Sequence, residues 1–482
     1  MTMLSDRIRL SLTKDRTRTV IEDAGGQWRL TGAQLLVGAD GLRDVLAAHA
    51  DRPLVAYLRK GPLYYAFLTC AFLNALDFCP LDAENPTRRV LDVADQLPGS
   101  VIVCDGHDVF ARLRQHTDRC LNLEVPHTDL EREAGISNPA NVASYYIATS
   151  GSTGTPKLVQ VPHDRTLAFL DWAIPFYEVD EDTRWGQFCS IGFDLSLVDF
   201  LTVICGSGTL VSLSAQMDRM RPARAVARGN LTHWHSVPSM IPYFLREPEN
   251  AGVSTCRLFT FCGEPFMRED AVRLAARYPS ARIVNTYGPT EATLFCSFFE
   301  YRSDSANFSD ASLPVGQAIP SWNFVLMPED DRFRLVILSD NIATGYVNVP
   351  SPQFTTVPLF GREMRAFDTG DYFRRVGAHL HFSHRRDTMV KINGLRIDLG
   401  EIESAAKRCG FLNPVAIVVD KMIVLSAEAT ADAPQDVGAL AQYLPRASMP
   451  ATIRLVSAHP RTVSGKLDRR AIQVAFGAIH GG

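Results

Sequence analysis

The sequence predicts an α/β fold, built as a large amino-terminal unit followed by a small α+β unit. Three observations carry that expectation. Short runs rich in Val, Ile and Leu alternate with longer segments of helical period, the pattern of strands joined by helices. Residues 257–285 hold one strand–helix–strand unit: RLFTF, then MREDAVRLAARYP with apolar residues at helical spacing and acids near its start, then ARIVN. After Asp387 the pattern changes to a strand, a turn and an amphipathic helix, MVKINGLRIDLGEIESAAKRCG. PVAIVVD and KMIVLSAEA follow, alternating like an antiparallel pair. The boundary therefore falls near Asp387, dividing residues 1–386 from 387–482.

Within the large unit, the apolar stretch from Leu63 to Leu76 is broken by Asn74 and followed by Asp77. It is too short to span a bilayer and reads as a buried helix opened by Gly61-Pro62. VIVCD at 101–105 and GTLVSL at 208–213 read as strands, and 302–313, within RSDSANFSDASLP, as a loop. The chain of 482 residues is 46% hydrophobic and 21% charged, which suits a large core and excludes a disordered protein. A net charge of −4 provides no basic stripe for nucleic acid. Ten cysteines without a CxxC pair point to reduced thiols rather than a disulfide framework or zinc ribbon. The charged amino terminus has no apolar signal core, so a cytoplasmic protein with no membrane partner is expected. Only seven of the 49 basic residues are lysines, so each lysine is worth reading against its surroundings.

Tyr145 to His163, YYIATSGSTGTPKLVQVPH, carries the densest chemistry. An apolar strand runs into Thr149-Ser150-Gly151-Ser152-Thr153-Gly154-Thr155-Pro156-Lys157, and LVQV follows as another strand. Small residues let backbone N–H groups reach oxygen atoms and the lysine adds charge, so the composition suits a phosphate. The plain alternative is a polar surface hairpin, which the flanking strands and the Pro-Lys end disfavour. The GxxxxGK[ST] spacing is unmet, and Leu158 stands where that loop needs a hydroxyl for Mg²⁺.

TSGSTGTPK resembles the phosphate-loop signature of the adenylate-forming superfamily, which includes acyl-CoA synthetases, luciferases and nonribosomal peptide adenylation domains. Further signatures follow in the family's order. Asn285-Thr286-Tyr287-Gly288-Pro289-Thr290-Glu291 resembles the YGPTE segment, and Phe367-Asp368-Thr369-Gly370-Asp371 resembles Y-R/K-T-G-D. Arg385-Arg386-Asp387 through Gly400-Glu401-Ile402-Glu403 resembles the hinge block, and PRTVSGKLDR, from Pro460 to Arg469, the closing motif. KGPLYYAF and CPLDAENPTRRV, within 60–90, add a weaker block. The resemblance implies a large amino-terminal domain of stacked αβ sheets with a small β-barrel-like part, then a small mobile carboxy-terminal domain hinged at Asp387.

In such enzymes a carboxylate attacks the α-phosphate of ATP and pyrophosphate leaves, so positioning and charge neutralisation dominate the barrier. The resemblance assigns Thr149, Ser150, Thr153 and Lys157, on a loop that also holds Gly151, Ser152 and Gly154, to the β- and γ-phosphates. It gives Thr290 to the α-phosphate and Glu291 to Mg²⁺, for which a carboxylate is a suitably hard ligand. Asp371 would hold the ribose with Arg385 nearby, and Gly263-Glu264-Pro265 and Asn285-Thr286-Tyr287 would flank adenine. Lys466 would be the adenylation lysine, bridging the substrate carboxylate and the α-phosphate. In a second step the small domain would rotate, withdraw Lys466 and bring the Lys391–Leu395 loop to the site.

Gly192-Phe193-Asp194-Leu195-Ser196 resembles the FDxS segment of amino-acid-activating members, where the aspartate pairs with the substrate's α-ammonium. The alternative is a cap for a helix beginning at Leu195. FDLS, FCGEPF and NTYGPTEAT are similar to the free-standing amino-acid–carrier ligases, a group that includes D-alanine–carrier protein ligases. Carried over by motif, the pocket would comprise Asp194, Leu195, Val198, His235, Thr260, Cys262, Thr286, Leu294 and Phe295, closed by Lys466. Bulky Leu294 and Phe295 favour alanine, glycine or serine; His235 could hydrogen-bond a hydroxyl or be a satisfied core histidine. No carrier-like attachment site follows Arg470, so the acceptor is expected in trans, a phosphopantetheinyl carrier protein. The rival readings are an acid–CoA ligase for a small organic acid and a non-catalytic nucleotide-binding homologue. Leu158, Asp368 and His384 depart from the family's pattern, as does the block before Ile342-Ala343-Thr344-Gly345-Tyr346.

Overall fold

The structure, a computed structural model, describes residues 3–123, 143–149, 156–247, 255–302, 312–329, 332–359, 361–385, 389–392, 394–429, 436–460, 467 and 469–477. Two large sheets stack in the amino-terminal domain. The first has seven strands, in the order Gly345–Tyr346, Lys157–Pro162, Ser144–Thr149, Phe78–Asp82, Leu54–Leu58, Val101–Asp105, Cys120–Leu123. The second has nine, and its centre runs parallel through Thr209–Ser212, Arg184–Gln187, His233–Ser236, Leu258–Phe261 and Arg282–Tyr287. The strands expected around 101–105, 208–213, 257–261 and 281–285 are all present, as is the helix Arg268–Arg277 between the last two.

Helices fill the space between the sheets. Pro62–Leu73 is apolar all round, and residues 63–73 are buried, as such a helix requires. Gly61 takes the cap position and Pro62 the first turn, where its missing N–H costs nothing. Tyr65 and Phe72 of this helix stack on Phe200 of Asp194–Cys205, at 6.4 and 6.2 Å between ring centroids. One apolar cluster joins Leu54, Phe78 and Tyr145 of the first sheet to Leu210, Leu258 and Val284 of the second. The sheets therefore share a core, and each large apolar side chain fully buried in it contributes about 1.5–3 kcal/mol.

The smaller β part is a five-stranded antiparallel sheet in which Arg362–Val376 pairs with Arg332–Leu338, Phe354–Leu359 and His379–Arg385. The carboxy-terminal domain starts with a hairpin, Met389–Ile392 and Leu395–Asp398, and the helix Leu399–Arg408. Asp398 caps that helix by accepting from Gly400 N. Leu412–Val419 and Met422–Glu428 form the expected antiparallel pair. Two strands of this domain escaped the sequence reading: Leu395–Asp398, which the helical pattern after it obscured, and Thr452–Val456, added in parallel. The domain has its own apolar clusters, one around Ile397, Ile402 and Leu425 and one around Ile417 and Ile472. The expected boundary at Asp387 and residues 303–311 of the expected loop lie outside the described residues. Among the described residues no helix is long and apolar enough to cross a membrane.

Candidate active site

Parallel strands end together, and their carboxyl ends are where α/β sheets place ligands. Here the loops after Gln187, Ser236, Phe261 and Tyr287 gather at one edge of the nine-stranded sheet. Lys60 ties the first of them down, donating from Nζ to Gln187 O (2.7 Å) and Cys189 O (3.1 Å).

Glu291 sits on the short 3₁₀ turn Thr290–Ala292 after Tyr287 and is fully buried. The turn is tight: a Cβ on Gly288 would stand 2.4 Å from Leu294 O. Thr293 and Leu294 adopt left-handed backbone (φ 63° and 67°), which costs non-glycine residues about 1–2 kcal/mol each. Trp322 Nε1 donating to Ala292 O (2.9 Å) and Cys296 N to Tyr287 O (2.9 Å) hold that conformation. Glu291 Oε1 accepts from the Tyr346 hydroxyl at 2.6 Å. The Lys157 ammonium lies over the Tyr346 ring, 5.3 Å from its centroid. Thr149 and Lys157 face each other across the pair of strands flanking the expected phosphate loop. Ser150, Gly151, Ser152, Thr153 and Gly154 of that loop lie outside the described residues.

Asp371 is buried at the other side, its Oδ1 2.7 Å from Arg385 Nη1 and its Oδ2 accepting from the Tyr287 hydroxyl at 2.6 Å. Burial, and then the Asp371 charge, push the Tyr287 phenol well above its ordinary range, so it stays a donor. Each carboxylate oxygen keeps a second lone pair for a ribose hydroxyl. Gly263, Glu264, Pro265, Asn285, Thr286 and Tyr287 line one cleft, which Lys391 of the small domain also lines. Besides Tyr287, three of these side chains are already committed. Asn285 Nδ2 donates to Pro314 O (2.7 Å) and Thr286 Oγ1 to Phe261 O (3.1 Å). Glu264 bridges two loops, accepting from Ser239 N (3.0 Å) and Gly394 N (2.6 Å). The Lys391 ammonium stands 5.6 Å from the Tyr287 ring centroid. A buried ion pair, Arg89 with Glu401, also joins the two domains.

Asp194 is not the cap of a helix starting at Leu195: the helix begins at Asp194, with Phe193 in the cap position. The positive end of the helix favours its carboxylate. Its charge acts on Tyr145, Cys189 and Cys262, raising all three, although burial is the larger cause for each. Burial pushes the Cys262 thiol up to about 11, which leaves it inert. Val198, His235, Thr260, Cys262, Leu294 and Phe295 are buried, and Phe295 meets the His235 ring edge-on at 5.5 Å. His235 is half satisfied. Nδ1 is 2.5 Å from Asp199 Oδ1, which also accepts from Trp185 Nε1 at 2.9 Å, while Nε2 has no hydrogen-bond partner among the described residues. Thr260 Oγ1, on the neighbouring strand in register with His235, has none either.

Asp387 and Lys466 lie outside the described residues, as does the His384 side chain. Two of the other departures have structural causes. Leu158 is fully buried in an apolar cluster with Tyr57 and Tyr146. Asp368 pairs with Arg334 Nη1 at 2.6 Å, so this chain places an ion pair where a lone cation would stand. Sequence reading missed Tyr346 and Asp199. For Asp199 a signal existed: a second acid in the apolar helix DLSLVDFLTVIC needs a buried partner.

A sequence profile described as AMP-binding enzyme matches residues 11–347. A D-alanine–D-alanyl carrier protein ligase from Bacillus cytotoxicus is 27% identical over 495 residues, covering 95% of this chain and 96% of its own length. The crystal structure of the Vibrio cholerae adenylation domain AlmE, in complex with glycyl-adenosine-5'-phosphate, matches with a TM-score of 0.82 at 21% identity, covering 99% of this chain and 98% of that one. A nonribosomal peptide synthetase protein containing adenylation and PCP domains matches with a TM-score of 0.81 at 22% identity, covering 98% and 84%.

Proposed function

The chain belongs to the AMP-binding enzyme family, and we propose that it activates a small amino acid with ATP and passes it to the phosphopantetheine thiol of a separate carrier protein. In the first step a substrate carboxylate oxygen bonds to the α-phosphorus and the bond to pyrophosphate breaks, leaving an aminoacyl-AMP. In the second the carrier's thiol loses its proton and attacks the acyl carbon, and AMP leaves. Lys157 and Thr149 bind the outgoing phosphates, Thr290 the α-phosphate, and Asp371 with Arg385 the ribose. Lys466 bridges the substrate carboxylate and the α-phosphate. Glu291 fits Mg²⁺, which is held by one or two carboxylates plus substrate phosphates rather than a protein cage and supplies charge neutralisation when bound. Its carboxylate is buried and oriented, and no group of three potential ligands surrounds it among the described residues.

The observation that carries the amino-acid reading is Asp194, a carboxylate on the first turn of the helix Asp194–Cys205, close enough to act on Cys262 and Tyr145. A carboxylate there gains most when a cation arrives, and an organic acid without an ammonium brings none. The bulk of Leu294 and Phe295 limits the side chain to that of alanine, glycine or serine. The carrier protein named for the Bacillus cytotoxicus relative and the glycyl adenylate in the AlmE structure fit this reading. ATP–pyrophosphate exchange with parallel panels of amino acids and small organic acids tests it. Exchange with a small amino acid and none with the acids is expected; exchange with acids alone would move the chain to the CoA ligases, and none with either panel would end the enzyme reading.

For Asp194→Ala, the KM for the amino acid is expected to rise by on the order of 10²-fold as a desolvated charge pair is lost. The KM for ATP should stay within about two-fold, since uniform binding of one substrate is all that is removed. An unchanged amino-acid KM removes the ammonium assignment.

A further inference from the structure

Tyr346 stands where three separate stretches of chain meet. Its own strand, Gly345–Tyr346, is the edge partner of Lys157–Pro162, with Tyr346 in register with Val159. Backbone bonds extend the seam on both sides, Thr344 N to Gln160 O (2.8 Å) and Val347 N to Leu158 O (2.9 Å). Ala343 N donates to Glu291 O (2.9 Å), fastening the same segment to the turn that carries Glu291. From this edge the phenol reaches inward. Its hydroxyl donates to Glu291 Oε1 at 2.6 Å, and its ring carries the Lys157 ammonium at 5.3 Å.

A lysine and a buried carboxylate that serve one phosphate chain have a hazard in common. Before the nucleotide arrives they attract each other, and a direct pair would withdraw the ammonium from the phosphates and the carboxylate from the metal. A tyrosine touching both offers each a weaker partner: the negative ring face for the cation and a neutral hydroxyl for the anion. Neither the ring face nor the neutral hydroxyl takes the place of a ligand of opposite charge. The hydroxyl also fixes the rotation of the carboxylate, as outer groups commonly do for metal ligands.

We propose that Tyr346 is a positioning residue for the nucleotide–metal site, its ring seating Lys157 for the phosphates and its hydroxyl orienting Glu291 for Mg²⁺. The role rests on the assignment of Lys157 and Glu291 in the proposed function, and the two can fail separately. Two variants divide the residue: Tyr346→Phe removes the hydroxyl and keeps the ring, and Tyr346→Leu removes both.

The test is calorimetric titration of ATP into the whole protein, once with excess Mg²⁺ and once with EDTA, alongside the Mg²⁺ concentration giving half-maximal pyrophosphate exchange. Tyr346→Phe should weaken MgATP binding about 10-fold and raise the half-saturating Mg²⁺ correspondingly, the usual scale for losing a bond to a metal ligand. Its affinity for ATP in EDTA should stay within about two-fold. Tyr346→Leu should weaken binding in EDTA as well, by about 3-fold for a lost cation–π contact. A Phe variant with wild-type Mg²⁺ dependence overturns the proposal. So does a Phe variant that loses affinity equally in both titrations with a lowered melting temperature, the mark of a structural role. The titrations need no amino acid, so a wild-type protein that binds MgATP but exchanges with no carboxylate sinks the proposed function while the variants still test Tyr346.

Discussion

Lys466→Ala is expected to lower ATP–pyrophosphate exchange by about 10²–10³-fold, the usual loss when a donor aimed at developing charge is removed. The argument is electrostatic. The incoming carboxylate and the α-phosphate are both anions, and the attack that joins them concentrates negative charge between two oxygens. Lysine suits that place because its ammonium is compact and can touch both oxygens at once, whereas a guanidinium is planar and built for forked recognition. The chain is poor in lysine, with 42 of its 49 basic residues arginine, which makes the retention of lysine in PRTVSGKLDR informative. The segment leading to it is anchored: His459 N donates to Glu428 Oε1 (3.0 Å), and its Nε2 lies 2.9 Å from Ser426 Oγ. Equilibrium binding of ATP to Lys466→Ala should change by less than about three-fold, because the phosphates keep Lys157, and transfer from preformed aminoacyl-AMP to the carrier should persist. Wild-type exchange by this variant rejects the role outright.

The blocks legible in the sequence are those where one short stretch holds unusual residues together: TSGSTGTPK, YGPTE, the Asp371 segment and the hinge block. The resemblance that these blocks carry also implied the stacked α/β domain. What stayed hidden depends on contacts between distant stretches. Tyr346 and Glu291 are 55 residues apart, and His235 and Asp199 are 36 apart. Nothing near Tyr346 in sequence announces that its hydroxyl meets a carboxylate. Two apparent defects proved to be local solutions. Leu158 is a core residue, and Asp368 answers Arg334 on the neighbouring strand. Thr286 and Asn285 show the opposite limit: motif membership named them, yet each side chain already donates to a backbone carbonyl, of Phe261 and of Pro314, a contact between distant stretches that the motif does not announce.

Gly394→Ala is expected to cut transfer to the carrier by at least about 10²-fold while leaving pyrophosphate exchange within about two-fold. The hairpin of the small domain passes its tip between Val237 and Gly263 of the large one. Gly394 has φ +76°, and a Cβ there would lie 1.8 Å from Val237 Cγ1 and 2.8 Å from Val237 Cβ. On its other side, Gly394 O already limits Gly263, whose own Cβ would come within 3.1 Å of it. An added methyl therefore meets side chain on one face and has backbone behind it, on top of the cost of left-handed backbone for alanine. The tip must withdraw, and with it go the Gly394 N bond to Glu264 and the seat of Lys391 beside Tyr287. In the proposed function adenylation would use Lys466 from another orientation of the small domain and would not need this seat. Single-turnover transfer of labelled amino acid to a holo carrier protein, set beside exchange, reads the two steps separately. Two further variants sharpen the result. Arg89→Leu leaves Glu401 buried without its partner, a loss of about 3–5 kcal/mol from this orientation alone, and should depress transfer in the same selective way. Val237→Ala removes the methyl nearest the clash and should restore part of the transfer lost by Gly394→Ala. If Gly394→Ala instead loses both steps together, the hairpin belongs to a single working conformation and the alternation of the two lysines is wrong.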